Sequence, residues 1–246
     1  SGTRDAFTEL TGVLVKDGDT KTDKTTSSAV TINSTEAVIT NVKDNDAAIG
    51  YISLGSLNDT VKAVKIGSVE VNAENVKSGD YAISRPFNIA YKGELSEVAQ
   101  DFVDYILSSD GQAVVSEEGY VSVSESAAYS GKKPEGKISV AGSSSVAPVM
   151  EKLAEAYQKI NTNAKVEIQT SDSSAGMQAA MEGTCDIGMA SRELKDEEAG
   201  SLESITIAKD GIAIIVNKAN NCDDLTVDQI RTIYTGETTV WSDVIK

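Results

Sequence analysis

The 246-residue sequence has no histidine, and it contains only two cysteines, three prolines and one tryptophan. Without histidine, the chain lacks the commonest general base and the commonest metal ligand. Cys185 and Cys222 cannot form the usual four-ligand zinc site by themselves, and they form either a disulfide or two buried free thiols. We therefore expect no metal, no cofactor and no enzyme activity.

Long apolar runs and an excess of positive charge are also missing. The longest apolar candidate, 212–216, falls far short of the roughly 20 residues that a membrane helix needs. With 22 basic and 38 acidic residues, the net charge of −16 argues against a broad positive face for nucleic acid or anionic lipid. The 40% of hydrophobic residues can fill a core, so we predict a soluble, globular protein.

The spacing of the apolar residues predicts alternating strands and helices. A first helix with Thr3 as its cap ends at Gly12, and two later helices end at Gly111 and Gly119. Further helices are predicted at 148–160, 174–182 and 226–234, and strands at 47–57, 85–91, 138–140, 166–169, 186–190 and 205–217. This order predicts an α/β fold with mainly parallel sheets flanked by helices.

One segment, 124–137 (SESAAYSGKKPEGK), has no apolar period and is rich in serine, glycine and lysine. Such a composition is typical of a linker. We therefore expect two halves of the chain to be joined there.

Three serine-rich and glycine-rich loops stand directly before predicted helices: SGTR at 1–4, GSSS at 142–145 and SDSSAG at 171–176. The first turn of a helix has unpaired N–H groups and a partial positive charge, and serine hydroxyls add donors, so each loop can hold an anion. A single loop of this kind is better explained by ordinary helix capping. Ser191 and Arg192 follow a predicted strand, where α/β proteins bind ligands, and the convergence favours an anion site.

Several segments resemble the phosphate-specific binding proteins of ABC importers, which have the two-lobed type 2 periplasmic-binding fold. The resemblance rests on ISVAGSSSVAPVMEKLAEAY (138–157), SDSSAGMQAAMEGTCDIGMASREL (171–194), IAIIVNKAN (212–220), SGTRDAFTEL (1–10), AAIGYISLGSL (47–57) and the helix around 226–241. Together these segments cover nearly the whole chain.

The order of the segments is the reverse of the family's order, because the GSSS-type loop normally comes first. The chain therefore resembles either a circular permutant joined through 124–137 or a fragment of a tandem duplication. The resemblance implies one continuous lobe, 84–211, and a second lobe made of 1–83 and 212–246. It further implies that the ligand lies in the cleft between the lobes, which close about a hinge near 83–87 and 212–217.

The resemblance also implies which residues bind phosphate. Carried over position by position, they are Ser144, the backbone of Ser145, Ser173, Ser1, Gly2 and Thr3. The strand-end candidates Ser191 and Arg192 join this set, and Arg4 and Ser143 are additional candidates.

Two departures from the family pattern concern charge. The family's arginine four residues before the SGT serine would lie upstream of Ser1. The aspartate that many members carry after the DxG strand is absent, because Arg192 stands in MASREL. Arg192 either grips the oxyanion with its two terminal nitrogens or pairs at the surface with Glu193 or Asp196. Arg4 either contacts the ligand or faces solvent.

The resemblance implies a monomer that binds inorganic phosphate outside the cytoplasmic membrane and delivers it to the permease subunits of an ABC importer. Its anchor would be a lipidated cysteine in a segment upstream of Ser1. Alternatives are a binder of another oxyanion such as sulfate, molybdate or tungstate, and a phosphate sensor or scavenger that does not transport. A hydrolase using Ser145 and Lys152 is a remote alternative, because the chain lacks a histidine base.

Overall fold

The computed structural model describes residues 2–18, 20–32 and 34–245. The helices are α1 (Gly2–Thr11), α2 (Thr35–Lys43), α3 (Ala73–Ser78), α4 (Glu97–Leu107), α5 (Ser109–Glu117), α6 (Ala147–Ile160), α7 (Ser173–Glu182), α8 (Asp196–Ala199) and α9 (Val227–Thr235). The strands are β1 (Leu14–Asp17), β2 (Thr20–Asp23), β3 (Ile49–Ser53), β4 (Lys62–Ile66), β5 (Ser84–Tyr91), β6 (Gly136–Ser143), β7 (Ala164–Ser171), β8 (Ile187–Ala190), β9 (Glu203–Val216) and β10 (Asp224–Leu225). The predicted α/β class is confirmed.

The chain divides into two compact units. Unit 1 comprises Gly2 together with Arg85–Asp210, and unit 2 comprises Thr3–Ser84 and the chain from Gly211 onward. Strands β5 and β9 each begin in one unit and end in the other, so they carry the chain between them.

Unit 1 is built on five strands in the order β9-β5-β8-β6-β7, to which β9 contributes its first part, up to Asp210. Strand β6 runs parallel to β7 and β8, whereas β5 runs antiparallel to β8. Ile89 belongs to the core cluster shared with α4, α5 and α6, and Ala90 belongs to the cluster shared with α7. Because neighbouring strand residues face opposite sides of a sheet, α6 and α7 cover opposite faces.

Unit 2 packs its helices on a smaller sheet. Strands β3 and β4 both run antiparallel to β9, and β10 runs parallel to β4. An aromatic cluster joins α1, β3 and α9: the ring of Phe7 stacks on Tyr51 at 3.9 Å between centroids and meets Tyr234 edge-on at 4.7 Å. Such pairs add to the stability gained from burial alone.

Two predicted helix boundaries were wrong. Thr3 lies inside α1 and does not cap it. Gly111 lies in the first turn of α5 and does not end α4, because Ser108 ends α4 and its side chain also caps α5 by accepting from the Gly111 amide. A Cβ at Gly111 would lie 2.2 Å from the Tyr105 carbonyl oxygen, so the glycine permits this abrupt helix-to-helix junction.

The linker has neither helix nor strand between Ser122 and Glu135, and β6 begins at Gly136, just before the predicted strand. The linker is nevertheless held in place by hydrogen bonds to helices of unit 1. Asp101 on α4 accepts hydrogen bonds from the Tyr129 hydroxyl at 2.5 Å and from the Lys132 amide at 3.2 Å.

Among the residues that the structure describes, no helix is long and apolar enough to cross a membrane.

Candidate functional site

Three of the predicted loops meet at one edge of the unit 1 sheet. Strands β6, β7 and β8 are parallel, and the β6–β7 register sets Ser143 opposite Ser171. Gly142 lies opposite Met189, one residue before the end of β8. The GSSS loop, the SDSSAG loop and Ser191–Arg192 therefore leave the sheet side by side.

Three serines tie these loops together in a buried network. The Ser143 hydroxyl donates to the Ser191 hydroxyl at 3.0 Å, and the Ser191 amide donates to the Ser173 hydroxyl at 3.1 Å. All three are buried, with 2%, 0% and 1% of their surface exposed for Ser143, Ser191 and Ser173. Ser144, in contrast, is exposed, and Ser145 is half-buried. The structure thus separates three serines that hold the loops from two that lie nearer to solvent.

Helix α6 follows the GSSS loop and begins without a side-chain cap. Its N-cap residue is Val146, and Pro148 lies in the first turn. Because the N-cap residue contributes no side-chain hydrogen bond at this end, the N–H groups of the first turn remain suited to an external anion. Helix α7 differs, because the Asp172 carboxylate caps it by accepting from the Ala175 amide at 3.0 Å.

Glycines bring α7 directly against the sheet. A Cβ on Gly176 would lie 2.5 Å from the Gly142 Cα and 2.7 Å from the Ala141 carbonyl oxygen. A Cβ on Gly188 would lie 2.6 Å from the Gly176 carbonyl oxygen. Only glycine permits this approach, which places the start of α7 beside the ends of β6 and β8.

Arg192 is buried, with 8% of its surface exposed, and it is bound to a carboxylate that the sequence did not point to. Its Nη1 and Nη2 donate to Glu198 Oε2 and Oε1 at 2.7 and 2.8 Å. Nη1 also donates to the Glu193 carbonyl oxygen at 2.9 Å, and Nη2 to the Ser174 hydroxyl at 3.2 Å. Glu198 thus occupies both terminal nitrogens that a bidentate grip on an oxyanion would use. The alternative of a surface pairing with the Glu193 or Asp196 carboxylate is wrong, because Arg192 is buried and its carboxylate partner is Glu198.

Glu198 on α8 responds to this environment. Burial alone would raise the pKa of its carboxyl, but hydrogen bonds from Arg192 and from the Lys195 amide outweigh burial and lower the pKa below the ordinary value. Glu198 is therefore ionised at neutral pH, and it compensates the charge of Arg192.

The remaining candidates lie at the start of the chain. Ser1 lies outside the described residues. Gly2 is the first residue of α1, and Thr3 and Arg4 follow in the same helix. Arg4 Nε donates to Asp23 Oδ2 at 2.8 Å and its Nη1 to the Thr31 hydroxyl at 3.4 Å, so its partners come from β2 and the following loop.

Neither of two depressions in unit 2 coincides with the serine loops. One, of about 520 Å³, is lined by polar residues of α2 and its C-terminal end. The other, of about 310 Å³, is lined mainly by apolar residues around Trp241. No group of three or more histidine, cysteine, aspartate or glutamate side chains within 2–18, 20–32 and 34–245 is arranged to hold a metal ion.

Asp186 and Lys152 have contacts away from a reacting serine. Asp186 Oδ2 accepts from the Ser139 amide and hydroxyl, both at 2.7 Å, and so joins β8 to the first half of β6. Lys152 is exposed on α6, with its ammonium 3.9 Å from Glu155. This geometry gives no support to a Ser145–Lys152 hydrolase.

Comparisons with known proteins agree with this architecture. A family model described as the PBP superfamily domain matches residues 1–110 and 127–246. The phosphate-binding protein PstS 2 of Streptococcus agalactiae serotype V is 51% identical over 250 residues, which cover 100% of this chain and 85% of that protein. A crystal structure of a phosphate ABC transporter, phosphate-binding protein from Streptococcus pneumoniae TIGR4 is 46% identical, with a TM-score of 0.86 over 99% of this chain and 95% of that chain.

The coverage of these matches also bears on segment order. The streptococcal protein contains both halves in the order found in this chain, and 85% coverage leaves no room in it for two complete copies. By contrast, the phosphate-binding protein PstS of Staphylococcus saprophyticus, 39% identical over 120 residues, matches only 46% of this chain and 38% of its own. A permuted order explains both patterns, whereas a tandem fragment does not. The chain thus belongs to the phosphate-binding proteins of ABC importers within the PBP superfamily, in a circularly permuted form.

Proposed function

We propose that this protein binds inorganic phosphate through the serine loops of unit 1 and delivers it to the permease subunits of an ABC importer. One observation carries the site assignment: three loops rich in hydroxyl and N–H donors leave the same sheet edge, and one of them leads into a helix without a side-chain cap. Neutral donors and a helix N-terminus suit an anion in a chain of net charge −16. The protein acts as a binder, not as an enzyme.

The contacts suggest different tasks for the residues of the site. Ser144, which is more exposed than Ser145, donates its hydroxyl directly to a phosphate oxygen. The amide of Ser145, which donates to the Ser143 hydroxyl at 3.3 Å, exchanges that acceptor for a phosphate oxygen. The buried serines Ser143, Ser173 and Ser191 hold the loops in register, since the Ser191 hydroxyl lies 3.0 Å from that of Ser143 and 3.4 Å from that of Ser173. We propose that these hydroxyls also donate to the ligand. Arg192 supplies positive charge and holds Ser174 rather than gripping the anion with its two terminal nitrogens.

The resemblance adds residues from the start of the chain. We propose that Ser1, Gly2 and Thr3 complete the set of donors and that Arg4, held by Asp23, contributes charge. The lobes implied by the resemblance, 84–211 and 1–83 with 212–246, are proposed as the two parts that respond to the ligand.

The protein works outside the cytoplasmic membrane, as binding proteins of ABC importers do. We further propose that a lipidated cysteine upstream of Ser1 tethers it and that the protein is a monomer. A phosphate sensor without a transport role would share the same site. Association with the permease in detergent would separate the two roles.

Calorimetric titration of phosphate into dialysed protein, with sulfate as competitor, tests the proposal. We expect saturable binding of one phosphate per chain that a large excess of sulfate does not displace. Ser144→Ala should weaken binding by about tenfold, the effect of losing one charge-assisted hydrogen bond. Ser124→Ala in the linker is the matched control and should bind as the unaltered chain does. Absence of heat and of any phosphate-dependent rise in Tm would refute the proposal, and sulfate binding of equal strength would make the protein a general oxyanion binder.

A further inference from the structure

Arg85 and Asp210 form a buried ion pair at the border of unit 1. Arg85 Nε and Nη2 donate to Asp210 Oδ2 at 3.0 and 2.9 Å, and the two side chains are 1% and 0% exposed. Arg85 lies on β5 and Asp210 on β9. Neither residue stands in a serine loop or in a recognisable motif, and 125 positions separate them.

The third nitrogen of Arg85 has a different environment. Nη1 is buried, and in the parts of the chain that the structure describes it has no hydrogen-bond partner. The guanidinium carbon lies 5.4 Å from the centre of the Phe87 ring. Burying a charged donor without an acceptor is costly, and native proteins rarely leave such a group unsatisfied. The position therefore suits an acceptor that is not part of the chain.

Strand pairing places Arg85 at the same sheet edge as the serine loops. Strand β5 runs antiparallel to β8, with Asn88 opposite Ala190, the last residue of β8. Arg85 precedes Asn88 by three residues and so lies about 10 Å further along the strand, past the end of β8. Phe87 packs in the core cluster that includes α6, and Arg85 shares its side of the strand. Arg85 is thus on the sheet face where α6 begins.

We propose that Arg85 is a cation of the phosphate site, with Nη1 donating to a phosphate oxygen while Asp210 holds the guanidinium in place. This inference rests on the proposed function of the serine loops. It supplies a charge-assisted donor directed at the ligand, which matters in a chain of net charge −16. Arg192 does not offer such a donor through its terminal nitrogens, because Glu198 occupies both.

The first experiment uses the unaltered chain. The sequence contains four arginines, so side-chain guanidinium NMR signals can be assigned by comparison with Arg4→Lys, Arg192→Lys and Arg231→Lys. Phosphate should shift the Nη signals of Arg85 and slow the rotation of its guanidinium, since a new acceptor engages Nη1. The Arg231 signals should stay unchanged. If phosphate binds and the Arg85 signals do not move, the inference is wrong.

The second experiment is calorimetry on Arg85→Lys. Lysine keeps the positive charge beside Asp210 but lacks the additional guanidinium nitrogen that would donate to phosphate. We therefore expect a folded protein whose Kd for phosphate is higher by about tenfold or more. Arg231→Lys, whose ion pairs are exposed, is the control and should leave the Kd unchanged. A folded Arg85→Lys variant with a Kd less than about fivefold weaker overturns the inference.

A variant that removes both charges covers the case in which Arg85→Lys does not fold. Arg85→Leu with Asp210→Leu leaves no unpaired buried charge and should fold, yet bind phosphate at least about tenfold more weakly. Binding of unaltered strength in this double variant also overturns the inference. If the unaltered chain itself gives no phosphate heat, the proposed function fails, which is a distinct result.

Discussion

Arg192 and Glu198 form a bidentate ion pair inside unit 1, with N–O distances of 2.7 and 2.8 Å and side chains that are 9% and 7% exposed. The pair ties the end of β8 to α8. Because Ser174 also accepts from Arg192, the same guanidinium reaches the start of α7. The ion pair therefore organises two of the three elements that frame the candidate site.

Removing one partner of this pair should be far more costly than removing an exposed pair. Arg192→Ala leaves the Glu198 carboxylate buried without compensation, and we expect the free energy of unfolding to fall by about 3 kcal/mol or more. Arg231→Ala, which breaks exposed contacts with Asp228 and Glu237, should cost less than about 1 kcal/mol. Urea unfolding at pH 7 measures both values. Equal losses would mean that the buried geometry adds nothing.

The Glu198 carboxylate should make the free energy of unfolding depend on pH in the acid range. The pKa of Glu198 is lowered in the folded protein, so its contribution is present above the unfolded pKa of about 4.3 and is lost as the pH falls through the lowered folded value. Glu198→Gln should therefore show a smaller loss of unfolding free energy between pH 5 and pH 3 than the unaltered chain does. Glu203→Gln, an exposed site on β9, is the control and should follow the unaltered chain. Identical slopes for all three proteins would contradict the assignment.

The hydrogen bond from Tyr129 to Asp101 should anchor the linker. Burial, together with the hydrogen bond to Asp101 and its charge, raises the pKa of the Tyr129 hydroxyl. As the pH rises, the Tyr129 hydroxyl therefore ionises in the unfolded chain before it ionises in the folded protein. Its contribution to the free energy of unfolding is complete below the unfolded pKa of about 10 and declines as the pH rises further. Tyr129→Phe should lower stability by about 1 kcal/mol at pH 8 and flatten the decline between pH 9 and pH 11.

Limited proteolysis gives a second measurement of the same contact. Cleavage within 122–135 should be faster in Tyr129→Phe, because the linker loses a contact with α4. Tyr91→Phe, a half-buried position on β5, is the control. An unchanged cleavage rate would show that the other linker contacts suffice.

The close packing of α7 predicts an unequal response of two glycines. A methyl group on Gly176 would collide with backbone atoms at 2.5 and 2.7 Å, so Gly176→Ala should cost about 3 kcal/mol and weaken phosphate binding by displacing α7. Gly183 at the end of α7 has open space around it and a φ of +72°, so Gly183→Ala should cost only about 1 kcal/mol. Thermal unfolding and calorimetry compare the two. A larger loss for Gly183→Ala would contradict the packing argument.

The two cysteines should behave as free thiols. Both are free in the structure, Cys185 half-buried and Cys222 buried, and burial is the main cause that raises each pKa. A thiol-reactive dye should label both only slowly at pH 7 and at once in denaturant. Reducing agent should leave the Tm unchanged, and a Tm that falls on reduction would reveal a disulfide. The measurement thus distinguishes two free thiols from a Cys185–Cys222 disulfide, the two states that the sequence left open.

Local signals accounted for much of the fold. The bounds of helices α6, α7 and α9 were predicted to within one or two residues. Apolar periodicity indicates all three helices, and Gly183 and Gly236 indicate where α7 and α9 end. The convergence of the GSSS loop, the SDSSAG loop and Ser191 also followed from sequence, since parallel strands place their carboxyl ends at one edge.

The partners of the charged residues were not predictable in this way. Glu198 lies six residues after Arg192, Tyr129 lies 28 residues after Asp101, and Asp210 lies 125 residues after Arg85. No periodic pattern links such pairs, because the chain path between them is set by the packing of whole helices and strands.

The sequence by itself determined the elements of this protein, the order of its segments and the donor-rich composition of its loops, because each depends on neighbouring residues. Only the tertiary structure decided which donors remain directed at a ligand. Ser143, Ser173 and Ser191 became a buried network, Arg192 was taken by Glu198, and Arg85 kept one buried nitrogen without a partner among the described residues. The physical reason is that each side chain has a fixed number of hydrogen-bond donors and acceptors. Folding decides which groups pair with them, whatever the distance between those groups along the chain.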